Sequence, residues 1–116
     1  MARLRRYGGM YTLEIVDGKF RDYGGGLYKY EIVGDKLRRY GGQFLYQFDG
    51  DKVREYSGLY ILELVGNKLR RYGGLFIAEV VDNKIRPYGG PYEYEIDGFI
   101  THRELLALLT LLYAWF

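Results

Sequence analysis

The chain has 116 residues, 17 of them lysine or arginine and 15 aspartate or glutamate, for a formal net charge of +2 at pH 7. That is one domain's length, with too small a basic excess for binding along a phosphate backbone, so nucleic acid is excluded as a first partner. With no cysteine and one histidine, His102, disulfides and thiolate metal sites are excluded, and neither metal nor cofactor is expected.

Met1-Ala2-Arg3-Leu4 lacks the apolar segment of a secretory leader, which makes a cytoplasmic location the expectation. From Leu4 one phrase recurs six times: LRRYGG at Leu4, FRDYGG at Phe20, LRRYGG at Leu37, VREYSG at Val53, LRRYGG at Leu69 and IRPYGG at Ile85. Each copy opens a unit of about sixteen residues, the signature of a repeat architecture. The first strand is Leu4 to Tyr7; Gly8-Gly9 then turns the chain into the alternating run Tyr11-Thr12-Leu13-Glu14-Ile15-Val16. Asp17-Gly18 reverses it again into Lys19-Phe20-Arg21-Asp22-Tyr23, a hairpin pattern, because tight two-residue turns need residues that accept positive φ. The turn recurs at Gly34-Asp35, Gly50-Asp51, Gly66-Asn67 and Asp82-Asn83, so the chain is a meander of twelve strands.

Two-residue turns set the register: Ile15 opposite Phe20, Glu14 opposite Arg21, Leu37 opposite Tyr46. Crossing a hairpin then advances the chain by about two residues less than the repeat, and six such slips give a shear of about 12. Twelve strands with that shear tilt by about 35° and close at a radius of roughly 11 Å. Closure requires Leu4 to Tyr7 to pair with Tyr92 to Ile96, setting Arg5 beside Glu95. Alternation puts Tyr11, Leu13, Ile15 and Phe20 inside, with Tyr60, Leu62, Leu64 and Leu69 as their equivalents.

So wide a barrel leaves an axial space about 10 Å across, the diameter of one helix. Thr101-His102-Arg103-Glu104 reads as a capping box, and Leu105 to Phe116 carries no charge. Twelve uncharged residues fall short of the roughly twenty that span a bilayer, so the helix is expected inside the barrel, its charged first turn in water. Entering at the Asp97-Gly98 end, it would bring its last carbonyls and the Phe116 carboxylate to Arg6, Arg39 and Arg71. The expected fold is a single mainly-β domain: a closed twelve-stranded antiparallel up-and-down barrel over residues 1–100 around a C-terminal helix over 101–116.

That combination of twelve strands, stagger and terminal hydrophobic helix resembles the tubby C-terminal-domain superfamily, with its LURP-one-related and phospholipid-scramblase-like members. The resemblance is architectural and implies association with phosphoinositides or an anionic membrane. The chain is shorter and its repeats more alike than in that superfamily, which fits a minimal relative, a radial-hairpin barrel of the β-flower type, or an idealised engineered barrel.

Glu14, Glu31, Glu63, Glu79 and Glu95 face Arg21, Arg38, Arg70, Arg86 and Arg5, with Gln47 facing Arg54. A catalytic carboxylate pair needs two different environments around one substrate, and these are alike, so cross-strand ion pairing is their expected role. The tyrosines that precede the glycine turns, Tyr7 to Tyr88, are expected to cover neighbouring glycines. Ser57 and His102, the only serine and histidine, do not make a nucleophile and base. Arg6, Asp22, Arg39, Glu55, Arg71 and Pro87 form a rim of mostly alternating sign, in which Arg6, Arg39 and Arg71 are candidate anion ligands. Leu59, Ile61, Val65, Leu75, Ile77 and Val81 alternate onto the solvent face of units four and five and are candidate partner-binding residues. The expected function is non-enzymatic: a scaffold that binds a protein partner or itself through its outer face. The alternative is an adaptor for an anionic membrane surface, using the rim arginines or the turn lysines Lys19, Lys36, Lys52, Lys68 and Lys84.

Overall fold

The computed structural model describes residues 1–114. Its strands are β1 (Ala2–Arg6), β2 (Tyr11–Val16), β3 (Lys19–Asp22), β4 (Tyr28–Val33), β5 (Lys36–Arg39), β6 (Phe44–Asp49), β7 (Lys52–Glu55), β8 (Tyr60–Val65), β9 (Lys68–Arg71), β10 (Phe76–Val81), β11 (Lys84–Pro87) and β12 (Tyr94–Gly98), followed by helix α1 (His102–Tyr113). Every strand pairs antiparallel with its sequence neighbours, and β1 pairs with β12, closing the barrel. The closing register puts Arg5 opposite Glu95 and Leu4 opposite Ile96, as the stagger requires, over Ala2–Arg6 rather than Leu4 to Tyr7. The principal extents are 36 × 36 × 21 Å, the proportions of a ring of six hairpins that is short along its axis.

The two ends differ because their turns differ. At one end, two-residue turns put positive φ on their first residue, Asp17, Gly34, Gly50, Gly66 or Asp82. At the other, the turns after Tyr7, Tyr40, Tyr56 and Tyr72 are each closed by two backbone bonds, such as Gly74 N–H to Arg71 O and Arg71 N–H to Leu75 O, whereas the turn after Tyr88 has only the first of them because Pro87 has no N–H. Gly8, Gly41 and Gly73 there take φ +71°, and Ser57 takes φ +60° in unit four.

The ladders after these turns contain a feature the alternation hides. Leu4 faces Leu13 but Arg5 faces Tyr11, so Thr12 is an extra residue, and the same slip recurs where Phe20, Leu37 and Val53 meet their partner strands. In β10 the slip falls between Phe76 and Ala78. A β-bulge shifts the inside-outside alternation by one residue on its far side. Tyr11 and Tyr60, expected inside, therefore stand outside, where Tyr11 stacks on Tyr23 at 5.0 Å and Tyr60 on Tyr72 at 5.1 Å. The seam between β11 and β12 is the shortest ladder, with two paired positions, because Pro87 has no N–H to donate there.

Helix α1 fills the barrel. Leu106, Ala107, Leu108 and Leu109 are each at most 1% exposed, and four consecutive helical residues point in nearly every direction, so the wall surrounds them on all sides. They pack against Leu4, Ile15, Phe20, Leu37, Leu69 and Ile85 from the strands. The buried Thr110 hydroxyl donates to Leu106 O at 2.8 Å. Among the described residues no helix is long and apolar enough to cross a membrane. Trp115 and Phe116, and with them the expected approach of the terminal carboxylate to the rim arginines, lie outside the described residues.

Near the end of the helix, burial first and then the Glu93 carboxylate push the Tyr113 hydroxyl well above the ordinary phenol range. A raised folded-state value means that the unfolded chain loses this proton first. The stabilisation is therefore complete below the usual tyrosine value of 10.0 and declines as pH rises through it toward the folded value. Tyr113→Phe is expected to move the midpoint of alkaline unfolding upward while leaving the melt near neutral pH little changed, as a circular dichroism titration would record.

Candidate functional site

The outer wall is lined with ion pairs. Guanidinium to carboxylate distances are 2.5 Å for Arg5–Glu95, 2.7 Å for Arg38–Glu31, 2.8 Å for Arg70–Glu63 and 2.6 Å for Arg86–Glu79, and Arg21 Nε lies 3.1 Å from Glu14 Oε1. The environments repeat from hairpin to hairpin, each carboxylate engaged by a guanidinium. Arg54 is the exception: Gln47 faces it and instead donates to Asp35 Oδ2 at 3.1 Å. That bond, together with Lys36, holds the Asp35 carboxyl below the usual range. Outside the ion pairs runs a belt of aromatic pairs, Tyr7–Tyr92, Tyr28–Tyr40, Phe44–Tyr56 and Phe76–Tyr88 in addition to the two stacked ones. The tyrosines before glycine thus pack on an aromatic ring of the preceding strand, across the closing seam for Tyr7, rather than on glycines as expected. Tyr11 donates to Asp97 and Tyr60 to Asp49, which raises both hydroxyls above their ordinary values.

The six apolar candidates separate. Leu59 and Leu75 are 82% exposed, but they occupy Tyr-Gly-Gly turns rather than the sheet face. Val65 remains exposed on the wall and Val81 is half-buried. Ile61 and Ile77 do not face solvent as the alternation predicts: they stand at the bulge, turn toward the barrel mouth and pack against the core. The continuous patch on units four and five is therefore broken.

A different apolar surface is present. Met10 is 82% and Leu27 90% exposed, and both follow the glycines of their turns as Leu59 and Leu75 do. Around this end the turn tips read Met10, Leu27, Gln43, Leu59, Leu75 and Pro91. The repeat alignment alone could have found Met10 and Leu27, since they share a column with Leu59 and Leu75.

Arg6, Arg39 and Arg71 lie at the same end, exposed, on strands β1, β5 and β9. They are distributed around the ring on every second hairpin. Arg6 lies 5.5 Å from the Tyr94 ring and Arg39 5.9 Å from Tyr30, and among the described residues none of the three forms an ion pair. The turn lysines stand at the opposite end. Lys36 pairs with Asp35 at 3.1 Å, and Lys52 and Lys84 rest over aromatic rings. Ser57 and His102 are at opposite ends too, the latter 2.6 Å from Asp51, so they share no site. Among the described residues no three His, Asp or Glu side chains are arranged to hold a metal.

No protein-family model matches the sequence, and neither a curated protein nor a solved structure matches the chain significantly.

Proposed function

We propose that the protein is a non-enzymatic scaffold that associates through its Tyr-Gly-Gly end, with a second copy of the chain as the partner. The carrying observation is the crown of turn tips: two adjacent apolar pairs, Met10 with Leu27 and Leu59 with Leu75, stand on opposite sides of the ring, separated by Gln43 and Pro91. A two-fold axis through Gln43 and Pro91 sets Met10 against Leu75 and Leu27 against Leu59, so two crowns meet with apolar tips on apolar tips. Covering apolar side chains this exposed is favourable by their whole accessible area. Light scattering should give a dimer for the wild type and a monomer for a Leu59→Glu, Leu75→Glu double variant with an unchanged melt. A wild type that stays monomeric at high concentration would overturn this reading.

A second reading, the one implied by the resemblance to tubby-like proteins, is docking on an anionic membrane. It is favoured by Arg6, Arg39 and Arg71, which among the described residues have no acidic partner, at the end ringed by half-exposed tyrosines. The charged wall restricts it to a peripheral mode, through the crown. Flotation with phosphoinositide vesicles, lost on replacing the three arginines by glutamine, is its test.

A further inference from the structure

Among the described residues, the mouth of the barrel at the Tyr-Gly-Gly end is closed around most of its circumference and open in one sector. The bulge position reads Thr12, Lys29, Leu45, Ile61, Ile77 and Glu93 around the ring. Ile61 and Ile77 fill the space between wall and helix. Lys29 leaves it to pair with Asp22 at 2.9 Å. Thr12 is the smallest of the six, and its hydroxyl is turned back to Leu4 O at 3.3 Å. One ring deeper, unit one has Leu13 between the larger Tyr30 and Tyr94 of nearby strands. A cavity of about 330 Å³ remains there, floored by Leu4, Leu13, Leu108, Leu111 and Leu112. Leu111 and Leu112 stay partly exposed on a helix whose preceding turn is fully covered.

The cavity is apolar at its floor and polar at its lip, with tyrosine on two sides. On the lip Asp22 pairs with Lys29, and among the described residues Arg6 is the lip cation that pairs with no acid. Its volume lies at the low end of small-molecule sites. An apolar slot that ends at the Arg6 guanidinium matches a hydrocarbon chain ending in an anionic group.

We propose that this slot binds one acyl chain with an anionic head, the chain lying along Leu13, Leu108, Leu111 and Leu112 and the head at Arg6. The site is independent of the crown-to-crown association, because it rests on side chains inside the mouth rather than on the turn tips. The chain could belong to a free fatty carboxylate or to a lipid drawn from a bilayer, and the two arms of the test separate these sources.

Sodium decanoate, titrated below its aggregation concentration and followed by amide chemical shifts, is expected to bind saturably with shifts centred on Thr12, Leu13 and Leu111. Thr12→Leu supplies the side chain unit three carries at this position; it should melt at or above the wild-type temperature and weaken decanoate at least about tenfold by filling the slot. Arg6→Gln, an exposed change that keeps the test open whatever Thr12→Leu does to folding, should weaken decanoate about tenfold and leave decanol unaffected. In the second arm, co-sedimentation with phospholipid vesicles that Thr12→Leu abolishes assigns the chain to a bilayer lipid; vesicle binding that is absent or unchanged by Thr12→Leu assigns it to the free carboxylate. The Leu59→Glu, Leu75→Glu variant should bind decanoate as the wild type does. No saturable response, or equal affinity in Thr12→Leu, overturns the proposal.

Discussion

A Leu108→Asp variant is expected to show no cooperative thermal transition. Leu108 is fully buried at the centre of α1, and both its helical neighbours and the wall touch the core from every direction. Truncating such a leucine to alanine already costs about 2–5 kcal/mol. A carboxylate in its place finds no donor among Leu106, Ala107 and Leu109, and either stays charged in an apolar medium or takes up a proton at a further cost of several kcal/mol. Small domains have about 5–15 kcal/mol in total, so the sum approaches the whole stability. The barrel cannot escape by expelling the helix, because the inward faces of Phe20, Leu37 and Ile85 would then line a water-filled space. Leu108→Met, which conserves volume, should cost less than about 1.5 kcal/mol and serves as the control. A Leu108→Asp protein that melts near the wild-type temperature would mean that the helix contributes nothing to the core.

The fold was legible because each hairpin repeats one physical instruction. Turn dipeptides that accept positive φ, period-two alternation and a constant slip give closure without any long-range information, and Arg5 does meet Glu95. The bulge was not legible. A bulge leaves the order of apolar and polar residues intact and changes only which backbone groups pair, so Tyr11-Thr12-Leu13 reads as alternation while its first residue lies on the outer face. Aromatic side chains suit either face of a sheet, and their type gave no warning.

The same slip decides how the binding residues are distributed. It draws Ile61 and Ile77 into the mouth, leaves Leu59 and Leu75 on turn tips and joins them to Met10 and Leu27 in a crown. The rim arginines were placed at the correct end by counting alone. That Arg6 and Arg39 would rest over tyrosine rings depends on aromatic residues one strand away, which register, not sequence adjacency, brings beneath them.

Glu104→Ala is expected to destabilise the protein by about 2–4 kcal/mol, although the sequence places this residue in the solvated first turn of the helix. The carboxylate is 8% exposed. Its Oε1 accepts from Thr101 N–H at 3.0 Å, completing the capping box, and its Oε2 accepts from Gly18 N–H at 2.8 Å in the first hairpin turn. Alanine leaves both donors without that acceptor, at roughly 1–3 kcal/mol for each one shielded from water. Two neighbours extend the pattern: Arg103 Nη1 donates to Gly34 O at 2.6 Å in the second turn, and His102 reaches Asp51 in the third. Three consecutive helical residues thus engage three consecutive turns. A barrel of six near-identical hairpins offers a plug helix six similar rotational settings, and its leucines alone distinguish them poorly. Glu104, Arg103 and His102 each engage a different partner, an N–H, a carbonyl and a carboxylate; every turn offers the first two, but a carboxylate at the second turn position stands only at Asp35 and Asp51, which narrows the settings. Glu104→Gln keeps one acceptor oxygen and should lose about half as much as alanine. Besides a lower melting temperature, Glu104→Ala should show doubled amide resonances for α1 as the helix samples neighbouring settings. A variant as stable as the wild type, with a single set of resonances, would show that packing alone orients the helix.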